Sequence, residues 1–465
     1  MAASIEQPLR VLELYSGIGG MHWALKESHI DYEIVMAVDI NTTANKIYQH
    51  NFPHANLLCF GIEKLSLKKF ESLKIDAVLM SPPCQPFTRV GKKGDCTDVR
   101  TQSFLHLLQL INQMTKKPAY ILVENVKGFE TSQTRELLLE CLSRCGYNYQ
   151  EFLLTPLQFG IPNCRLRYYL LARHHGSFSF NHSSQILTVI PQVKETCHIP
   201  DHYKKRTCNP SENSCYPSDP EVSHLSAHTE HVSNGGKSDF HLLSPETCAP
   251  PHHGHENTSS YTPSDLNIST CALTQESGCR DLTQEPNHAD ADLRDAGRNM
   301  RYCEEEDKFV NEHSKFLSEF MEKISEENLD QYLLSDKELR FFVVMDIVFP
   351  ALKKSVCFTK RYGHYVDGAG SVVQMSTDAQ VTREASQFKS LAVRLQNSQE
   401  WQEEELSLLR KLRLRYFTPR EVANLLGFPE EFAFPAGLSN IQKYRVLGNS
   451  LNVHVVATLI KLMVS

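Results

Sequence analysis

This chain lacks an uninterrupted apolar run long enough to cross a bilayer, and its first residues lack the basic start, apolar core and small-residue cleavage site of a secretory leader. Those absences predict no membrane partner and an intracellular chain, and the expected address is cytoplasmic with room for a nuclear pool. No C-x-x-C pair occurs among the 14 cysteines, and their irregular spacing predicts free thiols with no disulfide framework. A basic balance is also missing: 48 Lys and Arg face 55 Asp and Glu, a net charge of −7. Such a chain does not coat nucleic acid by charge alone, because phosphate binding draws on clustered cations that release counterions. Local patches remain for that task, at Arg89, Lys92, Lys93 and Arg100 and at Lys353, Lys354, Lys360 and Arg361, each of which also reads as ordinary solvated surface.

The 465 residues, 41% of them hydrophobic, suffice for two or three domains with a substantial core. Over residues 9–173, short apolar or β-branched runs alternate with amphipathic segments, the pattern of βαβ units around a parallel sheet. Strands are predicted at 9–14, 34–38, 75–80 and 120–123, and helices at 41–50, 101–114 and 131–145. This is a doubly wound, Rossmann-like α/β domain over 1–175.

Residues 183–303 change to Ser, His, Pro, Asn and Thr without sustained periodicity, which predicts a disordered or poorly ordered insert. Seven cysteines and ten histidines fall between Cys197 and Cys303, yet none stands in the close pairs that deliver tetrahedral zinc ligands, so no metal is expected. Periodicity returns in a smaller second region, 304–443. There Phe309, Phe316, Phe320 and Ile324 recur at helical spacing before the apolar run 341–349. Residues 444–465 read as a C-terminal segment ending in an amphipathic helix.

Chemistry concentrates at predicted strand ends. The run Tyr15-Ser16-Gly17-Ile18-Gly19-Gly20 leaves the first strand and opens a helix, so its glycines allow a nucleotide-like ligand close to the backbone. His22 stands where a dinucleotide pattern requires glycine, which disfavours a nicotinamide cofactor. Asp39 ends the second strand and reads equally as a ribose ligand or as a helix N-cap. Cys84 follows the fourth strand behind the rigid pair Pro82-Pro83, a setting that suits a nucleophile, although an isolated cysteine is more often a small buried hydrophobe. Glu124 ends the next strand. It reads as a carboxyl raised in pKa that protonates a ring nitrogen while a thiolate attacks the ring, or as a cap or ion-pair partner of Lys127.

Pro82-Pro83-Cys84-Gln85, Glu124-Asn125-Val126, Arg165-x-Arg167 and Gly448-Asn449-Ser450, in this order, resemble the cytosine-5 methyltransferases. The resemblance implies a class I S-adenosylmethionine-dependent methyltransferase fold with a smaller target-recognition domain. It further implies Cys84 attacking C6 of cytosine, Glu124 contacting N3, and Arg165 and Arg167 positioning the base and the catalytic loop. Cofactor contacts are implied for Tyr15, Ser16, Gly17, Ile18, Gly19, Gly20, Asp39, Ile40, Ile62, Glu63, Ser81, Asn449 and Ser450, so the C-terminal segment must return to the first domain.

Within that family, Cys357-Phe358-Thr359-Lys360-x-Tyr362-Gly363, the run 414–419 and Leu447-Gly448-Asn449-Ser450-Leu451-Asn452 resemble the branch that methylates the anticodon loop of tRNA-Asp. DNA enzymes usually carry Val-Pro where this chain has Leu451-Asn452. The short stretch before the first strand also leaves no room for the reader domains of a large DNA enzyme. The partner expected is therefore tRNA, with DNA a weak substrate and a monomer the expected state. A DNA enzyme of the same chemistry and a catalytically inert nucleic-acid-binding module are the alternatives.

Overall fold

The computed structural model describes residues 7–83, 99–191, 313–323, 325–395 and 402–465. Cys84, the basic residues Arg89, Lys92 and Lys93, and most of the expected insert lie outside the described residues. Every described residue belongs to one compact unit.

The order is β1 (Leu9–Leu14), α1 (Gly20–Ser28), β2 (Tyr32–Val38), α2 (Thr42–Asn51), β3 (Leu57–Leu58), α3 (Leu67–Ser72), β4 (Ala77–Met80), α4 (Val99–Gln113), β5 (Tyr120–Val126), α5 (Gln133–Arg144), β6 (Asn148–Leu154) and β7 (Arg167–Arg173). They build a seven-stranded sheet of order β3-β2-β1-β4-β5-β7-β6. β1 to β5 pair in parallel, and β7 runs antiparallel to both β5 and β6. The doubly wound class expected from the sequence is the one observed. β4 is buried at every position, and β1 at all but Arg10. Strands covered on both faces read as continuous apolar runs, which makes them visible in the sequence. The outer strands β3, β6 and β7 escaped prediction: β3 is only two residues long, and β6 mixes Tyr149, Gln150 and Glu151 into its run.

Each face of the sheet carries its own apolar core. One core includes Trp23 and Leu25 of α1 together with Val455, Val456 and Leu459 of the final helix Val453–Val464. Asn452 caps that helix by accepting from Val455 N at 3.1 Å. The span Asn440–Val464 has the length and mean hydropathy of a membrane helix, although Lys443, Arg445 and Asn449 interrupt its apolar run. It is two helices, Asn440–Gly448 and Val453–Val464, with two thirds of its apolar window (67%) buried inside the protein, so core packing explains its composition.

The second region holds a small sheet of order β10-β9-β8, from β8 (Ile347–Val348), β9 (Val372–Gln374) and β10 (Leu414–Tyr416). Among the described residues, the helical spacing of Phe316 and Phe320 does not correspond to an α-helix. A single 3-10 turn, Leu317–Phe320, buries Leu317 and leaves Phe316 exposed; Phe309 and Ile324 lie outside the described residues. The insert boundary at 183 also needs correction, since Leu187 exchanges backbone hydrogen bonds with Glu151 and Leu153 along β6. Leu187 thus bridges to the sheet edge, where β6 offers backbone groups that need partners.

Candidate active site

The strand order reverses between β1 and β4, and at that switch point the carboxyl ends of β1, β2, β4 and β5 surround a cavity of about 360 Å³. Its wall contains Tyr15, Ser16, Gly17, Ile18, Gly20, Asp39, Ile40, Ser81, Glu124, Arg165, Arg167, Asn449 and Ser450 from the expected set. Pro82 and Pro83 also line it, and Cys84 is the next residue in the chain. Gly19, Ile62 and Glu63 are not on this wall. Gly19 is the N-cap of α1 with φ +85°, resting against the Tyr48 and Phe52 rings; Ile62 is buried in the core, and the exposed Glu63 folds its carboxylate over Gly61. A larger cavity of about 570 Å³ beyond α1 holds none of the expected residues, and on its wall Lys26 pairs with Glu431 and Glu27 meets His454 at the surface.

The loop after β1 is held from below. Gly17 N donates to Asp39 Oδ2 at 2.8 Å and Asn41 N donates to Oδ1 at 2.7 Å. Asp39 is therefore not the cap of α2. Asn41 fills that position, its side chain accepting from Thr43 N and Ala44 N. Burial raises the Asp39 carboxyl above its usual range, against the lowering effect of its backbone donors. Tyr15 takes φ +55°, rare for a residue with a side chain, and its hydroxyl meets Ser103 Oγ of α4 at 3.0 Å.

The cavity suits the cofactor implied by the resemblance. The Ser16 hydroxyl is buried on the wall with no partner among the described residues, the glycine loop presents backbone, Asp39 keeps further lone pairs, and Ile40 is 71% exposed at the rim for an apolar face. Leu451 closes over Gly20 so tightly that a Cβ there would stand 2.9 Å from its side chain. The C-terminal segment thus completes the pocket. Among the described residues no group of three or more His, Cys, Asp or Glu could hold a metal ion.

β4 and β5 pair with Met80 opposite Val123, which places Ser81 beside Glu124 one step on. Asn125 Nδ2 donates to the Pro82 carbonyl at 3.4 Å and tethers the Pro-Pro segment. Glu124 is buried, and Arg167 Nε stands 3.7 Å from its Oε1. Burial pushes the Glu124 carboxyl above its ordinary value, outweighing Arg167, Arg165 and the Ser81 hydroxyl, which pull it down. A pairing with Lys127 is not what sets its protonation.

Arg165 is almost fully buried, with Nη1 3.3 Å from both Cys357 Sγ and the Phe358 carbonyl, and Nη2 on the Ser450 carbonyl. Its Nε has no partner among the described residues. Arg167 Nη2 lies 3.5 Å from the same sulfur. Burial alone would raise the Cys357 thiol, but the two guanidiniums bring it below its usual value. From the sequence, Cys357 carried only a branch resemblance. Its place beside the arginine pair is visible only in three dimensions. Gly448 is equally constrained, since a Cβ there would fall 2.2 Å from the Thr359 carbonyl carbon.

The chain that carries this arrangement, an acid kept protonatable beside two cations at the mouth of a nucleoside-sized pocket, is similar to several known proteins. A tRNA (cytosine(38)-C(5))-methyltransferase of Homo sapiens is 42% identical over 459 residues, covering 98% of this chain and 99% of that protein. A protein of Dictyostelium discoideum named DNA (cytosine-5)-methyltransferase is 34% identical over 462 residues, covering 99% of this chain and 95% of that protein. The crystal structure of a Spodoptera frugiperda DNMT2 mutant superposes with a TM-score of 0.65 at 32% identity, covering 98% of this chain and 99% of its own. Residues 9–465 match the model of the C-5 cytosine-specific DNA methylases, and the chain belongs to that family.

Proposed function

We propose that this protein transfers the methyl group of S-adenosylmethionine to C5 of a cytosine in the anticodon loop of tRNA, with tRNA-Asp the favoured acceptor and Cys84 the nucleophile. The observation that carries this reading is the convergence of Glu124, Arg165 and Arg167 on the cavity lined by the glycine loop and by Pro83, which precedes Cys84. Full-length similarity to a relative named for cytosine 38 of tRNA supports the choice of acceptor.

The roles follow from chemistry. Glu124, kept protonatable by burial, gives its proton to N3 of the cytosine, and this draws electrons from C6 as the Cys84 thiolate adds there. Addition makes C5 nucleophilic, and C5 accepts the methyl group. Loss of the C5 proton to a base then expels the thiolate from C6, restores the ring double bond and returns the N3 proton to Glu124. When bound, S-adenosylmethionine supplies the electrophilic methyl on a sulfonium. Arg165, with a free Nε, and Arg167 hold the base and the carboxyl in register. A loop cytosine suits this site because leaving the stack costs least where pairing is absent. Duplex DNA is accordingly the weaker substrate, and a monomeric, cytoplasmic enzyme with a nuclear pool goes with this reading.

The relative named as a DNA enzyme favours a second reading, with the same chemistry on DNA. Labelled methyl transfer to total tRNA and to duplex DNA separates the two, and strong DNA transfer with silent tRNA would sink the first. Bisulfite mapping of tRNA treated with wild type and with Cys84→Ala locates the base and tests the nucleophile together. A denaturation-resistant adduct with 5-fluorocytosine RNA distinguishes an enzyme from an inert binding module.

A further inference from the structure

A buried polar chain beneath the glycine loop takes no part in the methyl-transfer steps. Glu13, at the end of β1, is 0% exposed, and its Oε2 lies 2.7 Å from the Tyr48 hydroxyl of α2. That hydroxyl is 2.9 Å from Nδ1 of His22 in α1. His22 in turn stacks on Phe52 with ring centroids 3.6 Å apart. Tyr48 and Phe52 are the two rings that close on Gly19, where a Cβ would stand 3.2 and 3.0 Å from them. One side of the loop faces the cofactor cavity, and the other rests on rings whose orientation this chain sets.

The protons in the chain have two satisfactory arrangements. With Glu13 protonated, its O–H donates to Tyr48 and Tyr48 donates to His22 Nδ1; with Glu13 ionised, Tyr48 donates to Glu13 and the other tautomer of His22 donates Nδ1–H to Tyr48. Burial pushes Glu13 up to about 8, against the Tyr48 hydroxyl and the backbone N–H groups of His22 and Met21, while the Asp39 charge adds to the rise. Burial takes His22 down to about 3, with Lys26 assisting, so the imidazole stays neutral in both arrangements. Among the described residues, Tyr32 of β2 also faces Glu13.

We propose that Glu13, Tyr48 and His22 form a positioning network for the cofactor loop, setting cofactor affinity through the Tyr48 and Phe52 rings beneath Gly19 without touching the cofactor. This rests on the reading of the adjoining cavity as the S-adenosylmethionine site. The three residues lie on three different elements, β1, α1 and α2, all converging under one loop, and Tyr48 cannot lose its hydroxyl without stranding two buried partners.

The test measures dissociation constants of S-adenosylmethionine and S-adenosylhomocysteine by calorimetry, with melting temperature and the KM for a tRNA transcript alongside. Tyr48→Phe, which deletes one oxygen, is expected to weaken both cofactor constants about tenfold, as stranding two buried polar groups implies, with the KM for tRNA unchanged. Glu13→Gln preserves a hydrogen-bonding partner for Tyr48 and is expected to remain near wild type, whereas Glu13→Leu is expected to behave as Tyr48→Phe. Folded Tyr48→Phe with wild-type cofactor constants overturns the inference. So does a folded Glu13→Gln as weak as Glu13→Leu. If Glu13→Leu does not fold, the Tyr48→Phe and Glu13→Gln pair decides. Wild type that binds neither cofactor refutes the proposed function itself, a different result from wild-type affinity in Tyr48→Phe.

Discussion

Arg167 Nε lies 3.7 Å from Glu124 Oε1, both side chains nearly buried, and the carboxyl is nevertheless held above its ordinary pKa. A cation at that distance stabilises the carboxylate, but removal from water penalises it more. The pair therefore keeps the acid available without abandoning it to full neutrality.

Glu124→Gln removes the proton donor and keeps the shape. Its kcat is expected to fall by about 10²-fold or more, the scale of general acid catalysis, with cofactor binding retained. Single-turnover methyl transfer and calorimetric cofactor titration check the two halves. Unchanged turnover would remove Glu124 from the chemistry.

Arg165 ties Cys357, Phe358 and Ser450 to one guanidinium, so Arg165→Met strands a buried carbonyl at 358 and a part-buried one at 450. A loss of about 2–4 kcal/mol of stability is expected, one unsatisfied group costing about 1–3 kcal/mol. Denaturant titration measures it. Arg165→Lys is expected to recover only part, because one ammonium cannot reproduce the fork.

Gly448→Ala places a methyl 2.2 Å from the Thr359 carbonyl carbon and 2.3 Å from Lys360 N, backbone atoms that cannot step aside. Stability is expected to drop by about 1–3 kcal/mol, the range for overpacking, and cofactor affinity to fall as Asn449 and Ser450 shift. Wild-type melting and affinity in this variant would show that the segment is more adaptable than its packing implies.

Glu13 predicts how stability depends on pH. Its carboxyl is raised from 4.5 to about 8 on folding, so the folded protein holds this proton more tightly than the unfolded chain. The contribution is fully present below about pH 4.5 and is lost as pH rises through about 8, with an upper bound of about 5 kcal/mol at 1.36 kcal/mol per pH unit between those values. The melting temperature of wild type relative to Glu13→Gln is therefore expected to decline between about pH 5 and 8.5. A difference that stays flat across that interval would refute the burial argument.

Much of this protein is legible in its chain alone. β1, β4 and the inner part of β5 read as continuous apolar runs because they are covered on both faces, and the glycine loop, Cys84, Glu124, Arg165 and Arg167 stand in local patterns that survive without tertiary context. Local patterns report backbone conformation and residue type, which depend on near neighbours along the chain. Three matters depend instead on what folding brings together. Asp39 or Asn41 as the cap of α2 turned on which side chain reached the free N–H groups, and Asn41 did. Whether Glu124 would be lowered by Lys127 or raised by burial turned on how far the strand end is withdrawn from water. Cys357 and Ser450 meet Arg165 from 192 and 285 residues away, contacts that no periodicity encodes. Sequence alone determined the chemistry's participants; the tertiary structure decided their protonation and their partners, because both are set by solvent exclusion and distance through space.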